Sequence, residues 1–284
     1  MPKLTLYARL IRFDKPVGTL LLLWPTLAAL WIAADGRPAA WLVVLFAAGT
    51  FLMRSAGCAI NDAADAEFDA HVERTADRVV ATGQLSRGEA IAVAGTLAAL
   101  AALLLIPLNE ASIRLAIVAL ALAATYPLFK RFFPVPQLYL GVAFSFGIPM
   151  AFAAVQGEVP VLGWVMLVAN LFWVVAYDTE YAMVDREDDV RLGVRSSAVF
   201  FGRADLAAIA ACYAAYLALM AWVGTAIGAS WPYYAGLAAA AVMALHHVAL
   251  IRSRERGACF RAFKLNGWLG LVVFAGVFLD YALR

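Results

Sequence analysis

Residues 58–77 read CAINDAADAEFDAHVERTAD and residues 176–190 read AYDTEYAMVDREDDV. In the first stretch Asn61, Asp65 and Asp69 recur every four residues, and Asp62 stands three before Asp65, so on a helix these side chains share one side. In the second, Asp178, Asp185 and Asp189 recur at intervals of seven and four, with Asp188 adjacent. Like charges at such spacing repel, and carboxylates at the edge of an apolar segment are costly to desolvate. A cation between them would offset both costs. Hard oxygen ligands favour Mg2+, which keeps waters and accepts phosphate oxygens alongside one or two carboxylates. Two such clusters facing one another would hold a diphosphate through Mg2+. A single acidic run is more often plain solvated surface; two spaced clusters in so charge-poor a chain favour the metal.

Basic residues accompany both clusters. Arg74 and Arg78 precede Gly83 after the first, and Arg191 and Arg195 precede Gly202 after the second, a weak internal repeat whose cations are available to a diphosphate. Lys130 and Arg131 lie in ATYPLFKRFFPVPQ. The guanidinium fork of Arg131 suits phosphate oxygens, and simple anchoring at a membrane face accounts for the pair equally well. Arg12, Phe13, Asp14, Lys15 and Pro16 form a basic anchor with a helix start at the proline. Ser86 with Glu89 has the spacing of a capping box. His71, His246 and His247 lack ligand-like spacing and read as structural, and Cys58, Cys212 and Cys259 read as small core residues.

The elements that carry these groups are membrane helices. The chain is 64% hydrophobic and 15% charged, against about half and a quarter in a soluble domain. Apolar stretches of spanning length recur at roughly 16–34, 40–57, 89–107, 112–129, 137–155, 160–177, 205–228, 231–250 and 264–282. The expected architecture is an all-α polytopic bundle of nine transmembrane helices forming one domain over residues 1–284. The basic N-terminal head imitates a signal peptide, but the first apolar stretch is long for one and reads as a retained helix. With the N-terminus in the cytoplasm, all but Arg37, Arg114 and Arg284 of the 22 basic residues fall on the cytoplasmic face. Both acidic clusters then lie on that same face. A net charge of +2 gives no sign of nucleic-acid binding.

NDAADAEFD at residues 61–69 resembles the NDxxDxxxD motif of the UbiA-superfamily intramembrane prenyltransferases, and DTEYAMVDREDD at 178–189 resembles their second aspartate-rich motif. RFDKPVGTLLLLWPTLAALW, YPLFKRFFPVPQLYLG and YDTEYAMVDREDDVRLGVRSS are similar to the bacterial 4-hydroxybenzoate polyprenyltransferase branch. The resemblance covers most of the chain. It implies that Asn61, Asp65 and Asp69 form the first metal and diphosphate motif and Asp185 and Asp189 the second. Asp62 and Asp188 would adjoin the metal, and Arg131 would contact substrate phosphate or carboxylate. Lys130, Arg74 and Arg78 would add to the substrate site, and Asp14 would help shape an aromatic-acid pocket. Where the family reads RPLPSG after the position of Arg78, this chain reads RVVATG, keeping the glycine and losing the prolines.

The implied reaction is Mg2+-dependent transfer of a polyprenyl group from its diphosphate to the ring carbon ortho to the hydroxyl of 4-hydroxybenzoate. It is a step of ubiquinone biosynthesis at the bacterial inner membrane. Asp185 is the aspartate offered for removing the ring proton. Phe144, Phe146, Trp173 and Tyr177 are available to stabilise an allylic cation, with ordinary packing the competing account. The prenyl tail is expected in a lipid-open groove lined by spans one, two and nine. Three alternatives stay open: a related acceptor such as homogentisate or naphthoate, a membrane phosphotransferase, and a secondary transporter. Two separated clusters count against the phosphotransferase, and their place at one membrane boundary rather than mid-membrane counts against the transporter.

Overall fold

The computed structural model describes residues 2–129 and 132–284, so Lys130 and Arg131 lie outside the described residues. Among the described residues the regular structure is helical throughout, in the order α1 Lys3–Leu10, α2 Val17–Ala33, α3 Ala40–Asp69, α4 Arg87–Leu103, α5 Glu110–Phe129, α6 Pro136–Ser145, α7 Gly147–Gln156, α8 Val161–Leu192, α9 Ser197–Phe201, α10 Asp205–Ala226, α11 Trp231–Leu250 and α12 Arg256–Leu283.

Among the described residues, six helical stretches are long and apolar enough to cross a membrane: Ala40–Asp69, Pro136–Gln156, Val161–Leu192, Ser197–Ala226, Trp231–Ser253 and Arg256–Leu283. The other three expected spans fall on α2, α4 and α5. Two of these, α2 and α4, have 17 residues each, about 25 Å of helix against a hydrocarbon core of about 30 Å.

At both acidic clusters the helix continues beyond the expected span. Helix α3 has 30 residues and α8 has 32, about 45 and 48 Å, so each runs past the hydrocarbon and carries its cluster on its own last turns. The alanine-rich stretch AINDAADAEFD has strong helix propensity and nothing in it stops the helix. Both clusters thus sit at C-terminal helix ends, where the backbone dipole is itself negative. That placement adds to the repulsion and sharpens the need for cations.

The main core joins α2, α7, α8, α10, α11 and α12 around Trp173, Tyr177, Phe152 and Leu30. Helices α11 and α12 approach backbone to backbone. A Cβ on Gly236 would stand 2.7 Å from the Val272 carbonyl oxygen and 2.9 Å from the Gly276 Cα, a separation only glycine permits. A second, smaller core packs Leu6 and Leu10 of α1 against Ala59, Ala63 and Ala66 of α3 and Val79, Val80 and Leu85 of the following loop.

A polar network lies behind the cavity-facing side of α8. The Tyr213 hydroxyl sits 2.9 Å from Glu180 Oε1 and 3.0 Å from Asn266 Oδ1. Asn266 Nδ2 donates to Glu180 Oε2 at 2.9 Å, and Trp173 Nε1 donates to Asn266 Oδ1 at 2.8 Å. His247 Nδ1 lies 3.1 Å from the same tyrosine oxygen, so His247 is structural, as its spacing suggested. Glu180, His247, Asn266 and Trp173 are each 0% exposed. The network fastens α8 to α10, α11 and α12.

Candidate active site

The repulsion within the clusters is relieved by arginines. Arg12 Nη2 donates to both carboxylate oxygens of Asp62 at 2.7 and 2.8 Å, and Arg78 Nη1 reaches Asp62 at 3.1 Å and Asp69 at 2.7 Å. Arg74 grips Asp185 through Nε at 3.0 Å and Nη2 at 2.5 Å. Asp188 is held by Arg191 at 2.9 Å and Arg256 at 3.0 Å. Arg256 also pairs with Glu73 at 2.8 Å, which fastens the loop after the first cluster to the second. Burial opposes the charge on Arg74 and Arg78, yet neighbouring Tyr181 and Asp185 for Arg74, and Asp62 and Asp69 for Arg78, raise both guanidinium pKa values above the ordinary one. Both arginines stay cationic at any pH the protein survives.

Among the described residues no three His, Cys, Asp or Glu side chains converge into a ready-made metal cage. The donor set still suits Mg2+. Asp62, Asp65, Asp69, Asp185, Asp188 and Asp189 are all buried and offer hard oxygens, and Mg2+ needs only one or two carboxylates when a diphosphate supplies the rest.

The loop after Arg78 keeps its shape without prolines. Val79 and Val80 are 1% and 6% exposed and pack in the smaller core. Leu85 N donates to Val79 O at 2.9 Å, and Gly83 turns the chain at φ +73°. Ser86 and Glu89 then form the expected capping box at the start of α4. Burial of Val79 and Val80 anchors the RVVATG loop to the smaller core.

Above this mouth, a cavity of about 750 Å³ runs into the bundle. Asp14, Asn61, Asp62, Arg74 and Arg78 line its charged end, together with Arg12 and Lys15. Asp65, Asp69, Asp185, Asp188 and Asp189 flank that end without lining it. On α3 the lining continues from Asn61 through Gly57, Arg54, Thr50 and Phe46 to Leu45, about 24 Å of helix. The far walls are Ala98, Ala101 and Ala102 of α4 and Ala116, Ala119, Leu120 and Ala123 of α5. Leu120 lines the cavity and is itself half exposed, and α4 packs on α3 whereas α5 packs on α6, α7 and α3, which leaves a gap between α4 and α5 in the cavity wall. The cavity is lined from α2, α3 and α12, which carry expected spans one, two and nine, and from α4 and α5 too.

Two residues of the cavity, Arg54 and Tyr126, were not singled out by spacing, and Asp178 was placed in the second stripe without a role of its own. Arg54 projects from the middle of α3, its guanidinium 5.8 Å from the Phe144 ring centroid and close against Gly18. Asp178 lines the cavity with Tyr177 and Tyr181. Tyr126 closes the same region. Of the aromatic residues proposed from the sequence, Phe144, Phe146 and Tyr177 line the cavity, whereas Trp173 is fully buried in the polar network and packs.

A helical bundle long and apolar enough to cross a membrane, with a charged mouth leading into a largely apolar cavity, has the form of an intramembrane enzyme. Residues 22–270 match the model of the UbiA prenyltransferase family, and the chain belongs to that family. It is 60% identical over 284 residues, the whole of both chains, to a Cupriavidus necator protein named 4-hydroxybenzoate octaprenyltransferase. A Burkholderia mallei protein of the same name is 60% identical over 100% of this chain and 99% of its own. A UbiA homolog from Aeropyrum pernix superimposes with a TM-score of 0.78 at 28% identity, over 91% of this chain and 97% of the other. A UbiA homolog from Archaeoglobus fulgidus, solved with GPP and Mg2+ bound, shares the fold at a TM-score of 0.74 and 19% identity, over 98% and 99% of the two chains.

Proposed function

We propose that the protein transfers a polyprenyl group from polyprenyl diphosphate to 4-hydroxybenzoate, forming the carbon–carbon bond ortho to the phenolic hydroxyl, as a step of ubiquinone biosynthesis. The observation that carries this is one continuous cavity with arginines and carboxylates at its mouth, the cation Arg54 midway and apolar walls beyond. An amphiphilic donor and a small aromatic acid fit those three zones in turn. Full-length relatives named for that reaction support the choice of acceptor over homogentisate or naphthoate.

In this reading Asn61, Asp65, Asp69, Asp185 and Asp189, with Asp62 and Asp188 adjoining, hold Mg2+, which when bound neutralises the diphosphate as a leaving group. Arg74 and Arg78 trade their carboxylate partners for diphosphate oxygens, a substitution the forked guanidinium suits. Lys130 and Arg131 complete the cationic set by resemblance. The allylic carbon–oxygen bond breaks, and the apolar cavity keeps water from the carbocation. Arg54 binds the acceptor carboxylate with Phe144 beside it, and Asp14 closes the mouth. The ring carbon forms the new bond and the displaced ring proton passes to a carboxylate. Asp178 is better placed for that proton than Asp185, because it lines the cavity while Asp185 is held by Arg74. Products are the prenylated acid, diphosphate and a proton.

The same proposal makes the chain a single domain of nine spans, with α2, α4 and α5 completing the six longer ones. It resides in the bacterial inner membrane with the N-terminus and the acidic mouth on the cytoplasmic side, which the placement of the basic residues supports. Purified membranes given 4-hydroxybenzoate, a polyprenyl diphosphate and Mg2+ should yield a metal-dependent 3-polyprenyl product by mass spectrometry. Asp65→Ala and Asp185→Ala should each abolish it. Transport of radiolabelled substrate without product would revive the transporter, and product with another acceptor alone would move the assignment within the family.

A further inference from the structure

Arg74 has two anchors of different kinds. One is Asp185, a carboxylate that the proposed function commits to a divalent cation. The other is aromatic: the Arg74 guanidinium carbon lies 4.3 Å from the Tyr181 ring centroid, and Nη1 donates to the Tyr181 hydroxyl. Tyr181 in turn stacks on Phe263 of α12 with centroids 4.3 Å apart and planes 29° from parallel. Phe263 stacks on Phe260 at 6.2 Å and 15°. Tyr181, Phe260 and Phe263 all line the mouth of the cavity. The shelf is fixed from behind, since Glu180, next to Tyr181, accepts from Asn266, three residues beyond Phe263.

When Asp185 turns to a metal and Arg74 to a diphosphate, the ionic anchor of Arg74 is lost and the aromatic one is not. We infer that Tyr181, backed by Phe263, is a positioning residue that presents Arg74 to the diphosphate of the donor. A guanidinium over a partly dehydrated ring is restrained without being neutralised, so it keeps its full charge for phosphate. A loop arginine on a flexible stem would otherwise lose rotamer freedom on binding, which weakens affinity. The inference rests on the proposed function in assigning the diphosphate to this mouth.

The test is a double-mutant cycle on the full chain in detergent, reading the dissociation constant of inorganic diphosphate in the presence of Mg2+, with prenyl transfer measured alongside. Tyr181→Leu should weaken binding on the order of tenfold. Tyr181→Phe, which keeps the ring, should recover most of that loss. In an Arg74→Ala background, Tyr181→Leu should have no further effect, because the shelf acts only through Arg74. A merely structural tyrosine would weaken binding equally with or without Arg74, and that result would overturn the inference. If Tyr181→Leu fails to fold, Phe263→Leu, which removes the ring behind Tyr181, reads the same coupling. Wild-type protein that binds diphosphate but transfers no prenyl group would refute the proposed function, while the cycle would still decide the role of the shelf.

Discussion

Replacing Gly18 with alanine should separate stability from catalysis. Gly18 lies in the first turn of α2, and a Cβ built there would stand 2.6 Å from Arg54 Nη2, 2.7 Å from Nε and 3.1 Å from Cζ. Ordinary contact begins near 3.4 Å, so the guanidinium must retreat by about 0.8 Å, away from Gly18 and along the cavity wall. The obstacle is the end of a flexible side chain, so the backbone need not move. Alanine also favours helix over glycine by up to about 1 kcal/mol, so unfolding temperature should hold or rise. Catalysis should suffer: misplacing a substrate-positioning group by about 1 Å can cost up to 10²-fold, and a charge-assisted hydrogen bond contributes about 1.5–3 kcal/mol. Steady-state kinetics in proteoliposomes should show kcat/KM for 4-hydroxybenzoate down at least about tenfold, with the KM for polyprenyl diphosphate unchanged. An unchanged acceptor KM would remove Arg54 from the acceptor site. A parallel fall for both substrates would mean that α2 itself had shifted.

Chelating divalent cations should stop product formation yet leave the unfolding temperature in detergent unchanged, because Arg12, Arg74 and Arg78 already neutralise Asp62, Asp69 and Asp185; a marked drop on adding EDTA would show the arginine pairs to be insufficient. Asn266→Ala strands the buried Trp173 N–H and Glu180 Oε2 and should cost about 2–4 kcal/mol of stability, read by thermal unfolding. Less than about 0.5 kcal/mol would mean the network finds other partners. Val79→Ala should loosen the loop between Asp69 and Ser86, costing roughly 1–2 kcal/mol and exposing the loop to protease. Resistance equal to wild type would return the stiffness to some other contact.

Much of the site was legible along the chain, because its chemistry is concentrated in two helix ends. Spacing put Asn61, Asp65 and Asp69 on one side of a helix and Asp185 and Asp189 on one side of another, and both clusters occupy the same end of the bundle. What spacing does not carry is which groups face each other across helices. Arg54 read as one more cytoplasmic cation because it stands in the last turn of the span expected at 40–57. Once α3 continues to Asp69, Arg54 falls about four turns inside it and lines the cavity. Asp178 belonged to the right stripe, but only the packing of α8 against α6 and α12 turns it inward and leaves Asp185 to Arg74. The arginine–carboxylate pairs were equally hidden, since Arg12 and Asp62 are 50 residues apart and Arg74 and Asp185 are 111. The expected central helix at 137–155 is broken at Phe146, between α6 and α7, where Pro149 leaves the Ser145 carbonyl without its usual amide donor. Composition alone saw one apolar run.

The opening between α4 and α5 has a kinetic consequence. A substrate that arrives sideways through a lipid-facing wall diffuses in two dimensions, and its driving quantity is its mole fraction in the bilayer, not its concentration in the aqueous volume. Diluting the same amount of donor with inert phospholipid should therefore raise its apparent KM in proportion, while the water-soluble acceptor, entering from the charged end, should keep a KM set by the bulk. One protein would then obey two concentration scales at once, divided by the height at which each substrate meets the bundle.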